Sequence, residues 1–117
     1  MINKKTYQIF KNKKKFFNKK KQKITIITVV YYGESTLENT IKNVIKQNYS
    51  NFEYIIVYSP SKDKTFDIIK KYKKKIDKIL INFDIGIYQS MNLGASFADG
   101  DYINYMNSGD YFFNTNV

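Results

Sequence analysis

The chain reads as one α/β domain, a parallel sheet with helices on both faces. Three observations predict this class. Runs rich in β-branched and aromatic residues at 24–31, 52–58, 79–83 and 101–106 alternate with amphipathic stretches at 35–48, 63–75 and 87–97. The first two runs are almost continuously apolar, the pattern of strands covered on both faces. Each connection is long enough to hold a helix, which demands parallel pairing through right-handed crossovers. A chain of 117 residues is the size of a single domain and buries roughly two-thirds of its unfolded surface.

Taken in order, Ile24 to Tyr31 form the first buried strand, and Tyr32, Gly33 and Glu34 turn the chain. Ser35 and Glu38 have capping-box spacing, each side chain suited to an orphan backbone donor of the first turn. Leu37, Ile41, Val44 and Ile45 then recur at helical spacing, with Glu38, Lys42 and Lys46 outward, and the helix runs to about Gln47. Residues 52–58 are the second strand, broken by Ser59, Pro60 and Ser61. Ser61 or Asp63 caps the next helix, which turns Phe66, Ile69 and Tyr72 inward. Its lysines 70, 71 and 73–75 are a solvated run at the end that the helix dipole favours for cations. Residues 79–83 are the third strand, Asp84 to Gly86 a turn, 87–97 a helix with Gly94 as its soft spot, and 101–106 the fourth strand.

Composition narrows the chemistry. All twenty basic residues are lysine, with no arginine and no histidine, which removes the bidentate phosphate fork and the commonest general base. No cysteine is present, so disulfides and thiolate zinc sites are excluded. No apolar run approaches the roughly 18 residues of a membrane span. The net charge of +10 is concentrated: ten lysines and no acid fall in residues 1–23, and the remainder is neutral. Residues 1–23 therefore read as a basic, flexible tail, and 24–117 as the folded domain. Three readings of the tail stand side by side. It is a solvated segment kept open by like-charge repulsion, a peripheral anchor for anionic lipid, or, least favoured, a nucleic-acid arm.

In an open parallel sheet, ligands gather beyond the carboxyl ends of the strands. That rule points to the loops 31–34, 58–64, 84–86 and 107–110, which all leave the same rim. The last holds Asn107, Ser108, Gly109 and Asp110. These residues either close a simple turn or offer oxygen donors to a hard cation and its phosphates. Neither a GxGxxG fingerprint nor a P-loop occurs in the chain.

The loops resemble the nucleotide-sugar half of the family-two glycosyltransferases, which have the GT-A fold, Rossmann-like in this half. The resemblance covers about residues 23–114. It rests on Ile26-Ile27-Thr28-Val29-Val30-Tyr31, on Gln47-Asn48-Tyr49-Ser50-Asn51-Phe52-Glu53-Tyr54, and on Ser61-Lys62-Asp63-Lys64-Thr65. It continues through Gly86-Ile87-Tyr88-Gln89-Ser90-Met91-Asn92-Leu93-Gly94 and ends on Asn107-Ser108-Gly109-Asp110. The resemblance implies a nucleoside diphosphate sugar donor, usually a uridine one, lying across the rim. It implies Thr28, Tyr31, Glu34, Tyr58, Asp84 and Asn107 as residues around the donor. It also implies a Mg2+ or Mn2+ ion held by Asp110 with Asn107.

Departures from the family pattern are local. Tyr58 stands where an aspartate commonly reads the uracil, Ser59-Pro60 replaces a glycine-containing pair, Gly109 replaces a second metal-motif aspartate, and Lys64 replaces a glycine. The family's acceptor half, with the carboxylate that deprotonates the acceptor, lies beyond the metal motif, and this sequence ends at Val117. The expectation is a donor-binding part truncated on its C-terminal side, from a hexosyltransferase of surface polysaccharide synthesis. Alone it would be weak or inactive, with a partner chain able to supply the missing half. The expected location is cytoplasmic, peripheral at the inner face of the membrane. The alternative is a non-enzymatic α/β module that docks on membrane or on an acidic partner through its lysines.

Overall fold

A computed structural model describes residues 7–11, 22–49, 51–84 and 86–109. The elements are β1 (Tyr7–Lys11), β2 (Ile24–Val30), α1 (Leu37–Ile45), β3 (Phe52–Tyr58), α2 (Thr65–Lys71) with a 3-10 turn (Lys73–Lys75), β4 (Lys78–Asn82), α3 (Ile87–Ser96) and β5 (Tyr102–Tyr105). They form a sheet in the order β1-β4-β3-β2-β5. β2 pairs in parallel with β3 and β5, and β3 in parallel with β4. The expected alternation of strand and helix is thus present, with parallel pairing throughout its length.

The period of two along each central strand sends its side chains to two cores. Ile26, Val30, Tyr54 and Ile56 face α1 and α2, where Leu37, Ile41, Val44 and Ile69 meet them. Ile27, Val29, Ile55, Val57 and Leu80 face α3 and its Leu93. Fully burying such a side chain is worth about 1.5–3 kcal/mol, so these two layers supply most of the driving force. Gly94 is no soft spot. A Cβ there would lie 2.8 Å from Ile27 Cγ2 and 3.1 Å from Val57 Cγ2, so the missing side chain is what lets α3 approach the sheet.

Three features differ from the sequence reading. Tyr7–Lys11 lies inside the segment read as a tail, yet forms an antiparallel edge strand, with Tyr7 opposite Asn82 and Lys11 opposite Lys78. Tyr7 and Ile9 pack on the α3 side, and the Tyr7 ring meets Phe97 edge-on at 5.6 Å. Two apolar contacts and a row of ladder hydrogen bonds thereby outweigh the repulsion among neighbouring lysines. The Ser35–Glu38 capping box is absent. Gly33 O accepts from Leu37 N at 2.8 Å and from Thr36 N at 3.1 Å, while the Glu38 carboxylate accepts from Lys71 Nζ and Tyr72 Oη, both at 2.6 Å. Glu38 thus ties α1 to α2 instead of closing its own first turn.

The third feature lies at the amino ends of the strands. Glu53 and Lys78 are buried and paired at 2.9 Å. Lys78 Nζ also donates to Asp99 Oδ2 at 2.8 Å and to Phe97 O at 2.5 Å. Glu53 Oε1 accepts from Thr25 Oγ1 and from Asp99 N, both at 2.9 Å. Burial works against the Lys78 charge, but the two carboxylates prevail and raise its pKa. The hydrogen bond from Lys78 lowers that of Asp99. This network joins β2, β3, β4 and the α3–β5 connection at the base of the sheet, opposite the rim.

Candidate functional site

After β2 the chain adds β3 and then β4 on one side, and α3 carries it back to place β5 on the other. Strand order therefore reverses at β2, and the crevice beyond the carboxyl ends of β2 and β5 is the place where such sheets bind ligands. Two loops border it, and they are joined directly. Ser108 N donates to Val29 O at 3.2 Å, the Ser108 and Thr36 hydroxyls share a hydrogen bond at 2.7 Å, and Gly109 N donates to Thr40 Oγ1 at 3.0 Å. Gly109 has φ +100°, a left-handed value that suits glycine. The loop after β5 is thus seated on the start of α1 and on the end of β2.

The loop after β3 is fastened to the same structure through Asp63. Its Oδ1 accepts from Ser61 Oγ at 2.6 Å, from Thr65 Oγ1 at 2.7 Å and from Thr65 N at 3.2 Å, and its Oδ2 from Glu34 N at 3.2 Å. Partial burial disfavours the Asp63 charge, yet these donors overcome it and hold the carboxyl down at about 2. Glu34 returns the tie, its Oε1 accepting from Lys64 N at 3.1 Å, and Gly33 N donates to Thr65 Oγ1 at 2.8 Å. The N-cap of α2 is Lys64, not Ser61 or Asp63 as the sequence pattern suggested, and Asp63, one residue before the cap, instead accepts from the Thr65 amide.

The residues expected around the donor separate into two groups. Tyr31, Glu34 and Asp84 are exposed, and Asn107 is half-buried, each in a loop or strand end at the rim. Asp84 N donates to Asn82 Oδ1 at 3.1 Å, which shapes the turn after β4. Thr28 and Tyr58 lie below the surface. Thr28 is fully buried, its hydroxyl donating to Met106 O at 2.5 Å and sharing a hydrogen bond with Tyr54 Oη at 2.8 Å. Tyr58 is stacked on Phe66 at 5.3 Å, and its hydroxyl accepts from Ser61 N at 3.0 Å. These two side chains support the rim from beneath. Burial pushes the Tyr54 hydroxyl pKa well up, so it is neutral at any physiological pH.

Asp110 lies outside the described residues, as do residues 1–6 and 12–21 of the lysine-rich segment. Among the described residues no three acidic, histidine or cysteine side chains come together as a cation site. An amide oxygen at Asn107 and a carboxylate at Asp110 are both hard donors of the type that Mg2+ and Mn2+ take, but the described part of the rim does not complete such a set by itself.

Tyr32 was not singled out by the sequence. It is a bulky residue at φ +54°, half exposed, with its ring edge-on to Tyr31 at 4.6 Å. A non-glycine residue in that region stores strain, and such positions cluster at functional sites. The pattern Tyr31-Tyr32-Gly33 directly after an apolar strand was the available signal. It leaves two aromatic faces open beside the crevice.

Comparison with known proteins identifies the family and the fold. The family model described as glycosyl transferase family 2 matches residues 25–115. A UDP-Glc:alpha-D-GlcNAc-diphosphoundecaprenol beta-1,3-glucosyltransferase of Escherichia coli, WfaP, is 34% identical over 95 residues, spanning 80% of this chain and 38% of that enzyme. The mannosyltransferase PcManGT from Pyrobaculum calidifontis, solved with GDP-Man and Mn2+, superposes with a TM-score of 0.73 at 17% identity, over 79% of this chain and 29% of that one. S. aureus TarS 1-349 in complex with UDP superposes with a TM-score of 0.69 at 23% identity, over 80% of this chain and 29% of that one. The chain therefore spans well under half the length of these relatives. No helix among the described residues is long and apolar enough to cross a membrane.

Proposed function

Because the chain belongs to glycosyl transferase family 2, we propose that it forms the donor-binding part of a sugar transferase and binds a nucleoside diphosphate sugar in the crevice between β2 and β5. The observation that carries this is the direct joining of the loops after β2 and β5 at the point of strand reversal, with Ser108 held by both Val29 and Thr36. A site held together in this way presents its groups in fixed positions, which lowers the ordering cost of binding.

Within this reading, Tyr31 offers an aromatic face to the base, and Asn107 meets the diphosphate end. Glu34 and Asp63 keep the two loops in register from the side. Thr28 and Tyr58 act by supporting the rim. A divalent cation bound through Asp110 with Asn107 would supply positive charge opposite the departing diphosphate. None of the described residues is assigned to deprotonating an acceptor hydroxyl. The donor is a uridine diphosphate hexose, a reading supported by the UDP-Glc in the name of WfaP and the UDP bound to TarS, and the wider task is assembly of a surface polysaccharide.

A second reading, a binding module without catalysis, draws on Tyr58: its ring is committed to Phe66 at a position where the family uses an acid. Calorimetry separates the two. The chain is titrated with UDP, UDP-glucose, UDP-GlcNAc and GDP-mannose, with and without Mn2+. The donor reading expects uridine nucleotides to bind and Mn2+ to tighten them, with Asp110→Ala removing the metal effect. Absence of binding by every donor up to about 1 mM, the weak end of specific affinity, would overturn it.

A further inference from the structure

Away from the crevice, between β1 and α2, the protein carries a second cavity of about 400 Å³. Its floor is apolar, with Phe10, Phe66 and Ile79 among its walls. Its rim is lysine: Lys11 from β1, Lys70 from α2, and Lys73 and Lys74 from the 3-10 turn. Phe10 is 52% exposed at the mouth, and the Lys70 ammonium stands 5.4 Å from the Phe66 ring centroid. The nearby carboxylate is Asp67, 3.4 Å from Lys70 Nζ, on the exposed flank of α2.

We propose that this groove is a docking surface for an anionic phospholipid bilayer. An apolar floor within a ring of ammonium groups matches an interface in which acyl chains lie beneath phosphates. Lysine stems cover apolar surface while their heads reach the phosphates, and an exposed phenylalanine inserts at the boundary. Each lysine near an anionic surface contributes about 1 kcal/mol, so four rim lysines make the attachment strong enough to measure and sensitive to salt. The charge of the whole chain, +10, adds attraction of the same sign at longer range. The groove opens at the β1 edge, and its 3-10 turn and Lys11 lie towards the base of the sheet. Docking there leaves the rim loops uncovered. The proposal stands independently of donor binding, since none of its residues borders the crevice.

The test is co-sedimentation of the full chain with vesicles of phosphatidylcholine alone and of phosphatidylcholine with phosphatidylglycerol. The expected result is binding to the second and little to the first. The triple variant Lys70→Gln/Lys73→Gln/Lys74→Gln alters surface positions only and leaves every lysine of residues 1–23 in place. It is expected to weaken binding by at least tenfold with an unchanged melting transition. Phe10→Ser is expected to release the fraction of binding that survives high salt. Triple-variant binding equal to that of the parent would overturn the proposal by assigning attachment to the N-terminal lysines. Failure of the parent to bind phosphatidylglycerol vesicles would overturn it in favour of an acidic protein surface.

Discussion

Gly33 and Ser108 meet across the crevice. A Cβ on Gly33 would come within 3.0 Å of Ser108 Oγ and within 2.3 Å of Val30 Cγ2. One methyl group at Gly33 must therefore push the Val30 side chain aside and presses on Ser108 in the facing loop. Gly33→Ala is expected to weaken donor binding at least tenfold in calorimetry while the melting transition stays cooperative. Ser108→Ala removes only a hydrogen bond, worth about 0.5–1.5 kcal/mol net, and is expected to have the smaller effect on both.

Tyr32 separates stability from function. Its left-handed backbone costs an L-residue roughly 1–2 kcal/mol that glycine avoids. Tyr32→Gly is expected to hold or raise the denaturation midpoint, since relief of strain offsets the greater freedom of the unfolded chain. It is also expected to lower affinity for UDP, because the ring beside Tyr31 is lost. A variant that loses both stability and binding would show that the ring is there for packing.

Asp63 gives the fold an acid-sensitive element. Its carboxyl titrates at about 2 when folded, against 3.8 ordinarily. The unfolded chain therefore binds the proton more tightly. The ionised form stabilises the fold at and above pH values near 4, and that contribution is lost as the pH falls towards 2. Urea midpoints of the parent and of Asp63→Asn should differ most near neutrality and converge in acid. A gap that is constant with pH would mean that the carboxylate charge is not what joins the loops.

At the base of the sheet, Glu53→Ala leaves Lys78 buried with only the exposed Asp99 as counter-ion. Removing one partner of a buried pair typically costs about 3–5 kcal/mol, so this variant is expected to be the most destabilised of the set. Replacing the pair together, as Glu53→Leu/Lys78→Met, should recover part of the loss. The remainder reports the hydrogen bonds that Glu53 accepts from Thr25 and from the Asp99 amide.

Gly94→Val forces a branched side chain against Ile27 and Val57, an overpacking that costs about 1–3 kcal/mol. Gly94→Ala meets the same contact but gains up to about 1 kcal/mol of helix propensity. The valine variant should therefore melt well below the alanine variant.

The fold was legible because its core is written in simple periods. Ile24 to Val30 and Phe52 to Tyr58 are apolar runs that only a strand covered on both sides can bury, and Leu37, Ile41 and Val44 mark one helical face. β1 was hidden because Tyr7 and Ile9 sit among lysines, so an alternating strand looked like a charged tail. Glu53 and Lys78 were hidden for a different reason. A buried ion pair joins residues distant in sequence, and each alone resembles a stray charge at a strand end. Glu38 had two possible partners, its own helix start and α2, and only the packing of the helices decides between them. At the site, the rim loops followed from parallel pairing. Which side chains stand on the rim and which prop it up did not, because Thr28 and Tyr58 depend on contacts with Tyr54, Met106 and Phe66.

The antiparallel edge strand has a consequence for how the protein is made. β1 lies near the start of the chain, but its partner β4 emerges from the ribosome only after β2, α1, β3 and α2. For that interval Phe10 and its lysine neighbours have no sheet to join. This edge of the sheet is therefore closed by a segment that precedes all of the strands between, and the lysine-rimmed groove comes into being only when β1 has joined β4.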